Sequence, residues 1–235
     1  MKEKVIGILG GMGPEATVEL FHRIVKETPA KRDQEHLRII VYNNPKIPDR
    51  TAAILGIGEN PLPEMVRTAK NLENSGVDFI VMPCITAHYY IEELQRNVSV
   101  PVLNMVELTA KALAGSFPEV KKVGLLGTTG TFKGRVFDKA LGKFNVKVIY
   151  PSDEGQKKVM EAIYGCIKAG KISEGRKIVV EEANRLVNAG ADAVICGCTE
   201  ISLVLKDGDV AKPVIDPLQI LARSAVLFAL GKIKI

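Results

Sequence analysis

Four cysteines in 235 residues are too few for a disulfide scaffold, and they set the expectation of a reducing compartment. Only three histidines are present, and no Cys/His cluster surrounds Cys196-Gly197-Cys198, so no structural zinc is expected. No apolar run approaches the roughly 18–20 residues of a membrane span. The net charge of +5 comes without a basic block or an aromatic-rich basic stripe, so nucleic acid is not an expected partner. Met1-Lys2-Glu3-Lys4 leads straight into a strand pattern with no signal-peptide core, which makes the cytoplasm the expected location. A dinucleotide site is also missing: the second strand ends in Tyr42-Asn43-Asn44, without the acidic residue such a site needs. What remains is a chain 46% apolar and 25% charged, long enough to bury one large core or two small ones.

What the chain does have is an internal repeat. Gly76-Val77-Asp78-Phe79-Ile80-Val81-Met82-Pro83-Cys84-Ile85-Thr86 is echoed by Gly190-Ala191-Asp192-Ala193-Val194-Ile195-Cys196-Gly197-Cys198-Thr199-Glu200. Ile6-Gly7-Ile8-Leu9-Gly10 is echoed by Val123-Gly124-Leu125-Leu126-Gly127, and Pro101-Val102-Leu103-Asn104 by Pro213-Val214-Ile215-Asp216. The blocks keep their order at an offset of roughly 110–120 residues, the size of a domain and not of a solenoid repeat.

Apolar β-branched runs alternate with helical patterns along the whole chain. Strands are expected at 5–9, 37–42, 79–82, 100–103, 123–126, 146–149, 193–196 and 214–215. They lack polar alternation, as parallel strands covered on both faces do. Helices are expected from Pro14 and through Met65 to Gly76, then over 87–97, 106–117, 132–144, 156–169, 174–189 and 217–230. The predicted fold is therefore α/β, with two similar units, each a mostly parallel four-stranded sheet flanked by helices, and a cleft between them. The expected division is 1–104 plus 217–235 against 105–216, with the helix over 106–117 or the last helix packing across the boundary.

Cys84 and Cys198 carry the chemistry. Both follow a strand and precede a helix start, where chemistry collects in such folds and where backbone N–H groups favour a thiolate. With an ordinary pKa of about 8.5, a thiol serves as base when ionised and as acid when protonated. Two thiols facing one pocket suit removal of a proton from one face of a carbon and its return to the other. Cys196, inside a strand, and Cys166, on a face shared with Val159 and Ile163, read as small buried hydrophobes. The turns Gly10-Gly11-Met12-Gly13-Pro14 and Gly127-Thr128-Thr129-Gly130-Thr131 offer backbone N–H groups to an anion. Arg50 lies in a Pro-rich stretch beyond a strand end, where it is either a carboxylate ligand or a solvated loop residue. His88 is expected to orient the Cys84 turn, and Asp78 and Asp192 to cap turns.

These motifs together resemble the aspartate/glutamate racemase family, and most of all its aspartate racemase branch. The resemblance rests on Ile8-Leu9-Gly10-Gly11-Met12-Gly13-Pro14, Asn43-Asn44-Pro45 with Pro48-Asp49-Arg50-Thr51, Met82-Pro83-Cys84-Ile85-Thr86-Ala87-His88 and Gly197-Cys198-Thr199-Glu200-Ile201. It implies a racemase that needs no cofactor, two α/β units related by a pseudo-twofold axis, and a homodimer. By that resemblance Cys84 and Cys198 are the catalytic pair, and Arg50 and Lys168 hold a distal carboxylate. Thr86, Thr128, Thr131 and Thr199 bind the α-carboxylate and amino group, and Met12, Ile85 and Glu200 complete the substrate site. Ile85 departs from the family's usual Asn, and Ile cannot hydrogen-bond. Glutamate racemases tend to carry His where Glu200 stands. The expected substrate is an acidic amino acid, aspartate first. Glutamate racemases, broad-specificity racemases, hydantoin racemases and maleate-type isomerases remain alternatives, and a two-lobed ligand-binding module is the alternative outside enzymes.

Overall fold

The computed structural model describes residues 3–234; Met1, Lys2 and Ile235, assigned above to the N-terminal unit, lie outside them. The elements run β1 (Ile6–Gly10), α1 (Pro14–Glu27), β2 (Ile39–Asn43), α2 (Arg50–Ile54), α3 (Leu62–Asn74), β3 (Phe79–Val81), α4 (Ile91–Arg96) and α5 (Met105–Ser116). They continue with β4 (Lys122–Gly127), α6 (Thr129–Lys133), α7 (Asp138–Gly142), β5 (Lys147–Ile149), α8 (Asp153–Met160), α9 (Ile172–Asn188), β6 (Ala193–Gly197), α10 (Ile201–Val204), β7 (Val214–Ile215) and α11 (Pro217–Ala229). Two parallel sheets result, ordered β2-β1-β3 and β5-β4-β6-β7. The α/β fold expected from the alternation of strands and helices is what forms.

The repeated sequence blocks perform repeated local tasks. Asn104 and Asp216, which end the Pro-Val-Leu/Ile block, cap the N-termini of α5 and α11 through their side-chain oxygens. Asp78 Oδ2 accepts from the Val5 N–H at 2.6 Å, and Asp192 Oδ2 accepts from those of Lys121 and Lys122 at 3.0 and 2.9 Å. Each aspartate thus ties the start of its own strand to that of its neighbour. Gly76 and Gly190 close α3 and α9 with φ of 82° and 93°, the left-handed cap that glycine tolerates best.

The first sheet departs from the four strands expected. The segment over 100–103 makes a single bridge, Ile80 to Val102. The Met82 carbonyl, next in line to face that segment, instead accepts from the Cys84 N–H at 2.9 Å as the chain turns. In the second sheet β6 runs five residues, with Gly197 paired to Gly127 of β4 and Val194 and Ile195 paired to β7.

Three helices also differ. The pattern over 132–144 forms α6 and α7, separated by a turn in which Arg135 takes φ 47°. That over 87–97 is a 3₁₀ turn, Thr86–Tyr90, followed by α4. That over 156–169 is α8 continued by a π-helical segment, Glu161–Ile167. Such wide turns concentrate at functional sites.

The largest core cluster draws on both sheets: Ile6, Phe79 and Val81 from one, Val123, Leu125 and Ala193 from the other, with α5 and α11 contributing Leu113, Leu221 and Ala225. At the foot of this core Arg23 is buried on α1. It donates to Asp216 at 2.5 Å, to Glu19 at 2.7 Å and to the Ser202 carbonyl at 3.3 Å, joining α1, α10 and α11. Among the described residues no helix is long and apolar enough to cross a membrane.

Candidate active site

The ends of β3 and β6 bring Cys84 and Cys198 into one closed chamber between the two sheets. Both thiols are buried and free. The chamber is also lined by Met12 from the first glycine turn, Arg50 and Thr51 from α2, and Ile85 and Thr86 after Cys84. Thr128, Tyr164, Lys168, Thr199 and Glu200 complete it from the other side. Of the residues the sequence singled out, only Thr131 is not in the lining, and it stands directly behind. Its hydroxyl lies 3.0 Å from that of Thr86 and 3.2 Å from that of Thr128, while Thr86 and Thr128 are 2.9 Å apart. This triangle of hydroxyls crosses from one half to the other. So does the Thr199 hydroxyl, which donates to the Pro83 carbonyl at 3.2 Å.

Close approach of the halves depends on Gly130. A Cβ there would stand 2.8 Å from the Thr51 Cα and 2.9 Å from the Thr86 Cγ2, inside any real contact distance. The chamber as closed has room for about 10 Å³, no more than a single water. A cavity of about 670 Å³ lies outside it and shares Asp49, Arg50, Lys168 and Glu200 as the common wall.

Arg50 is no solvated loop residue. Asp49 caps α2 by accepting from the Ala52 N–H at 2.7 Å, and this turns Arg50 inward. Its guanidinium donates to the carbonyls of Pro48 (2.9 Å), Ile47 (3.2 Å) and Met12 (3.3 Å), leaving the buried Nε without a partner. Burial disfavours its charge, but Cys84 and then Asp49 more than offset this.

Lys168 lies 3.6 Å from Glu200 and 4.6 Å above the Tyr164 ring. Burial again opposes its charge, and Glu200 and Cys198 restore it. Glu200 is buried and accepts from the Cys198 thiol at 2.9 Å and from the Thr199 hydroxyl at 3.3 Å. Burial pushes the Cys198 thiol well up, and the Glu200 carboxylate pushes it further.

His88 orients the Cys84 turn. One ring nitrogen contacts the Cys84 carbonyl at 2.8 Å, and the other accepts from the Met105 N–H at 3.1 Å. That pattern fixes a neutral ring with its proton on Nδ1, and burial lowers the His88 pKa to about 4. Cys196 is fully buried within β6, and Cys166 is buried in the π-helical segment.

Sequence reasoning missed Asp49, Thr51 and Tyr164. The Tyr164 hydroxyl donates to Asp49 at 3.1 Å across the chamber mouth, and burial pushes its pKa up to about 12. The available signal was spacing: Tyr164 and Lys168 stand four apart, on one face of a helix.

The arrangement supplies two thiols, a cluster of hydroxyl donors and two cations in a buried, narrow site. Among the described residues no group of three or more His, Cys, Asp or Glu is placed to hold a metal. Residues 9–225 match the family described as Asp/Glu/Hydantoin racemase. The chain is 31% identical to the broad specificity amino-acid racemase RacX of Bacillus subtilis over 229 residues, 94% of this chain and 96% of that one. Its fold matches Picrophilus torridus aspartate racemase with a TM-score of 0.86 at 33% identity, covering 97% of this chain and 94% of that one. Glutamate racemase isoform RacE1 from Bacillus anthracis shares the fold, with a TM-score of 0.71 at 19% identity over 99% of this chain and 84% of that one. With two thiols at the ends of equivalent strands and a family match across nearly its whole length, this chain belongs to the Asp/Glu/hydantoin racemase family of enzymes.

Proposed function

We propose that the protein racemises an acidic amino acid, aspartate first, by a two-base mechanism on Cys84 and Cys198. The observation that carries this reading is the meeting of the two thiols in one buried chamber, delivered by equivalent strands from opposite sides. One cysteine as thiolate takes the α-proton, and the other as thiol returns a proton to the opposite face. No pyridoxal cofactor enters this reading. Without such an electron sink, the site must stabilise the enediolate by donors fixed in advance around the α-carboxylate. The hydroxyls of Thr86 and Thr128, held from behind by that of Thr131, take that role with the backbone N–H groups of the glycine turns. Arg50 and Lys168 receive the distal carboxylate.

Substrate enters by separation of the halves 1–104 plus 217–235 and 105–216, since the closed chamber admits no amino acid. A cytoplasmic homodimer follows from the family resemblance, and light scattering on the purified protein checks the dimer.

Proton NMR of L- and D-aspartate in D₂O with purified protein and no added cofactor tests the reading. Loss of the α-proton signal with appearance of the other enantiomer is the expected result. Cys84→Ala and Cys198→Ala each abolish racemisation, and full activity in either variant sinks the two-base mechanism.

A broader amino-acid range is the second reading. It is favoured by the about 670 Å³ cavity beyond Arg50 and Lys168 and by the likeness to the broad-specificity enzyme. Running glutamate and neutral amino acids beside aspartate in the same experiment separates the two.

A further inference from the structure

The two thiols are equivalent in the sequence repeat but not in their surroundings. Cys198 donates to the Glu200 carboxylate at 2.9 Å, and that carboxylate is itself buried. Among the described residues no carboxylate stands at hydrogen-bond distance from Cys84, which faces the buried, positively charged Arg50. We propose that Glu200 is a positioning residue that holds the proton on Cys198, so that the resting enzyme carries Cys198 as thiol and Cys84 as thiolate opposite Arg50. This rests on the two-thiol reading and assigns Glu200 to the cysteine where the family resemblance placed it among the substrate ligands.

The groups facing Cys198 support the assignment. From its own loop come Glu200 and the uncharged Thr199. From the π-helical segment and the residue after it come Tyr164 and Lys168. Tyr164 stays neutral, because burial lifts its pKa to about 12. The Lys168 ammonium is paired with Glu200 at 3.6 Å, farther than the thiol is from the same carboxylate. Across the chamber stand Cys84 and the positively charged Arg50. A thiolate at Cys198 would therefore sit against a buried carboxylate, and a like charge at that distance opposes ionisation. Burial and Glu200 act together in raising the thiol's pKa.

The proton count closes. The Cys84 thiolate forms an S–H bond as the substrate's α C–H bond breaks, and the electron pair stays on the substrate as the enediolate. The Cys198 S–H bond then breaks as a new C–H bond forms on the opposite face. The enzyme is left with Cys84 protonated and Cys198 ionised beside Glu200. Water returns a proton to Cys198 and accepts one from Cys84, which restores the resting state. In this scheme the enantiomer whose α-proton points at Cys84 meets an enzyme already set for it, and the other enantiomer waits for the reversed state.

Iodoacetamide alkylation of the full protein across pH, with each cysteine followed by peptide mass spectrometry, tests this without needing turnover. Burial slows both reactions, so the midpoint of each pH curve is read and not its height. In the wild type the Cys198 midpoint lies at least about one pH unit above the ordinary thiol value of about 8.5. Glu200→Gln brings the Cys198 midpoint down by at least about one unit and leaves that of Cys84 in place. Glu200→Asp keeps the charge but withdraws it by one methylene, and gives an intermediate Cys198 midpoint. A wild-type Cys198 midpoint at the ordinary thiol value overturns the proposal. So does a Cys198 midpoint that stays at its wild-type value in both variants. Alkylation as expected, with no α-proton exchange on any amino acid, would overturn the racemase reading and leave the assignment of Glu200 standing.

Discussion

Replacing Arg50 with alanine removes a guanidinium with two separable roles. Within the protein it serves three backbone carbonyls, those of Pro48, Ile47 and Met12, at 2.9 to 3.3 Å. A buried carbonyl that loses its donor costs about 1–3 kcal/mol. Water entering from the outer cavity re-pairs some of the three, so a total of about 1–3 kcal/mol is expected. For a chain of this size that is a fall in Tm of roughly 2–12 °C. Toward substrate, the unpartnered Nε and the positive charge are what a distal carboxylate would use. A hydrogen bond to a charged partner contributes about 1.5–3 kcal/mol, so kcat/KM on aspartate falls about 10- to 150-fold. Lys168 compensates little, because its ammonium is already paired with Glu200. Asparagine is the control, with nearly the shape of aspartate and none of the charge. Exchange of the α-proton in D₂O is measured for both substrates, corrected for the folded fraction from a thermal melt. Asparagine exchange also falls, because Cys84 loses the guanidinium it faces, and the 10- to 150-fold factor is read as the additional loss on aspartate. Equal losses on aspartate and asparagine would refute the assignment, as would a loss on aspartate below about threefold.

Three further outcomes are expected. His88 is buried with its pKa lowered to about 4, below the unfolded value of 6.5. Its contribution to stability is therefore fully present above pH 6.5 and is lost as pH falls toward 4, up to about 3 kcal/mol. Urea unfolding between pH 7 and 4.5 shows that loss in the wild type, and a slope unchanged in His88→Gln would assign the loss elsewhere. Arg23→Met strands the carboxylate of Asp216 and costs about 3–5 kcal/mol, read by calorimetry as a drop in Tm. Asp216→Asn added to it recovers part of the loss, and purely additive losses would show that the pair is not coupled. Gly130→Ala forces Thr51 and Thr86 away from α6. Turnover falls at least tenfold while Tm drops by only a few degrees, and unimpaired turnover would mean that the halves need not meet there.

Much of the fold was legible because its signals are local. A run such as Ile6-Gly7-Ile8-Leu9 can bury both faces only as an inner parallel strand, and it does. The Pro-Val-Leu-Asn104 and Pro-Val-Ile-Asp216 blocks mark helix starts because a side-chain oxygen there satisfies free backbone N–H groups. The failures came where a longer-range balance decided the outcome. The segment over 100–103 has the composition of a strand, but its partner chain turns after Val81, where the Met82 carbonyl is taken by the Cys84 N–H, and a single bridge is left. The helical pattern over 132–144 gave no sign of the positive φ at Arg135 that divides it. The segment Glu161–Ile167 is π-helical, which no local pattern announces; Lys168 was found by family resemblance alone, and Tyr164, four residues before it on the same face, was missed.

By itself the sequence determined the reactive groups and their addresses: two thiols, each at the end of an apolar strand, each followed by a threonine within two residues, on a repeated unit. Strand, turn and cap are decided by residues within a few positions of one another, so those addresses could be read directly. Only the tertiary structure decided what each group faces. Arg50 could be judged bound or solvated only once Asp49 had turned it under Met12. The difference between Cys84 and Cys198 is likewise invisible in a repeat that treats them alike. It arises because burial removes water's screening and leaves one thiol beside a carboxylate and the other beside a guanidinium.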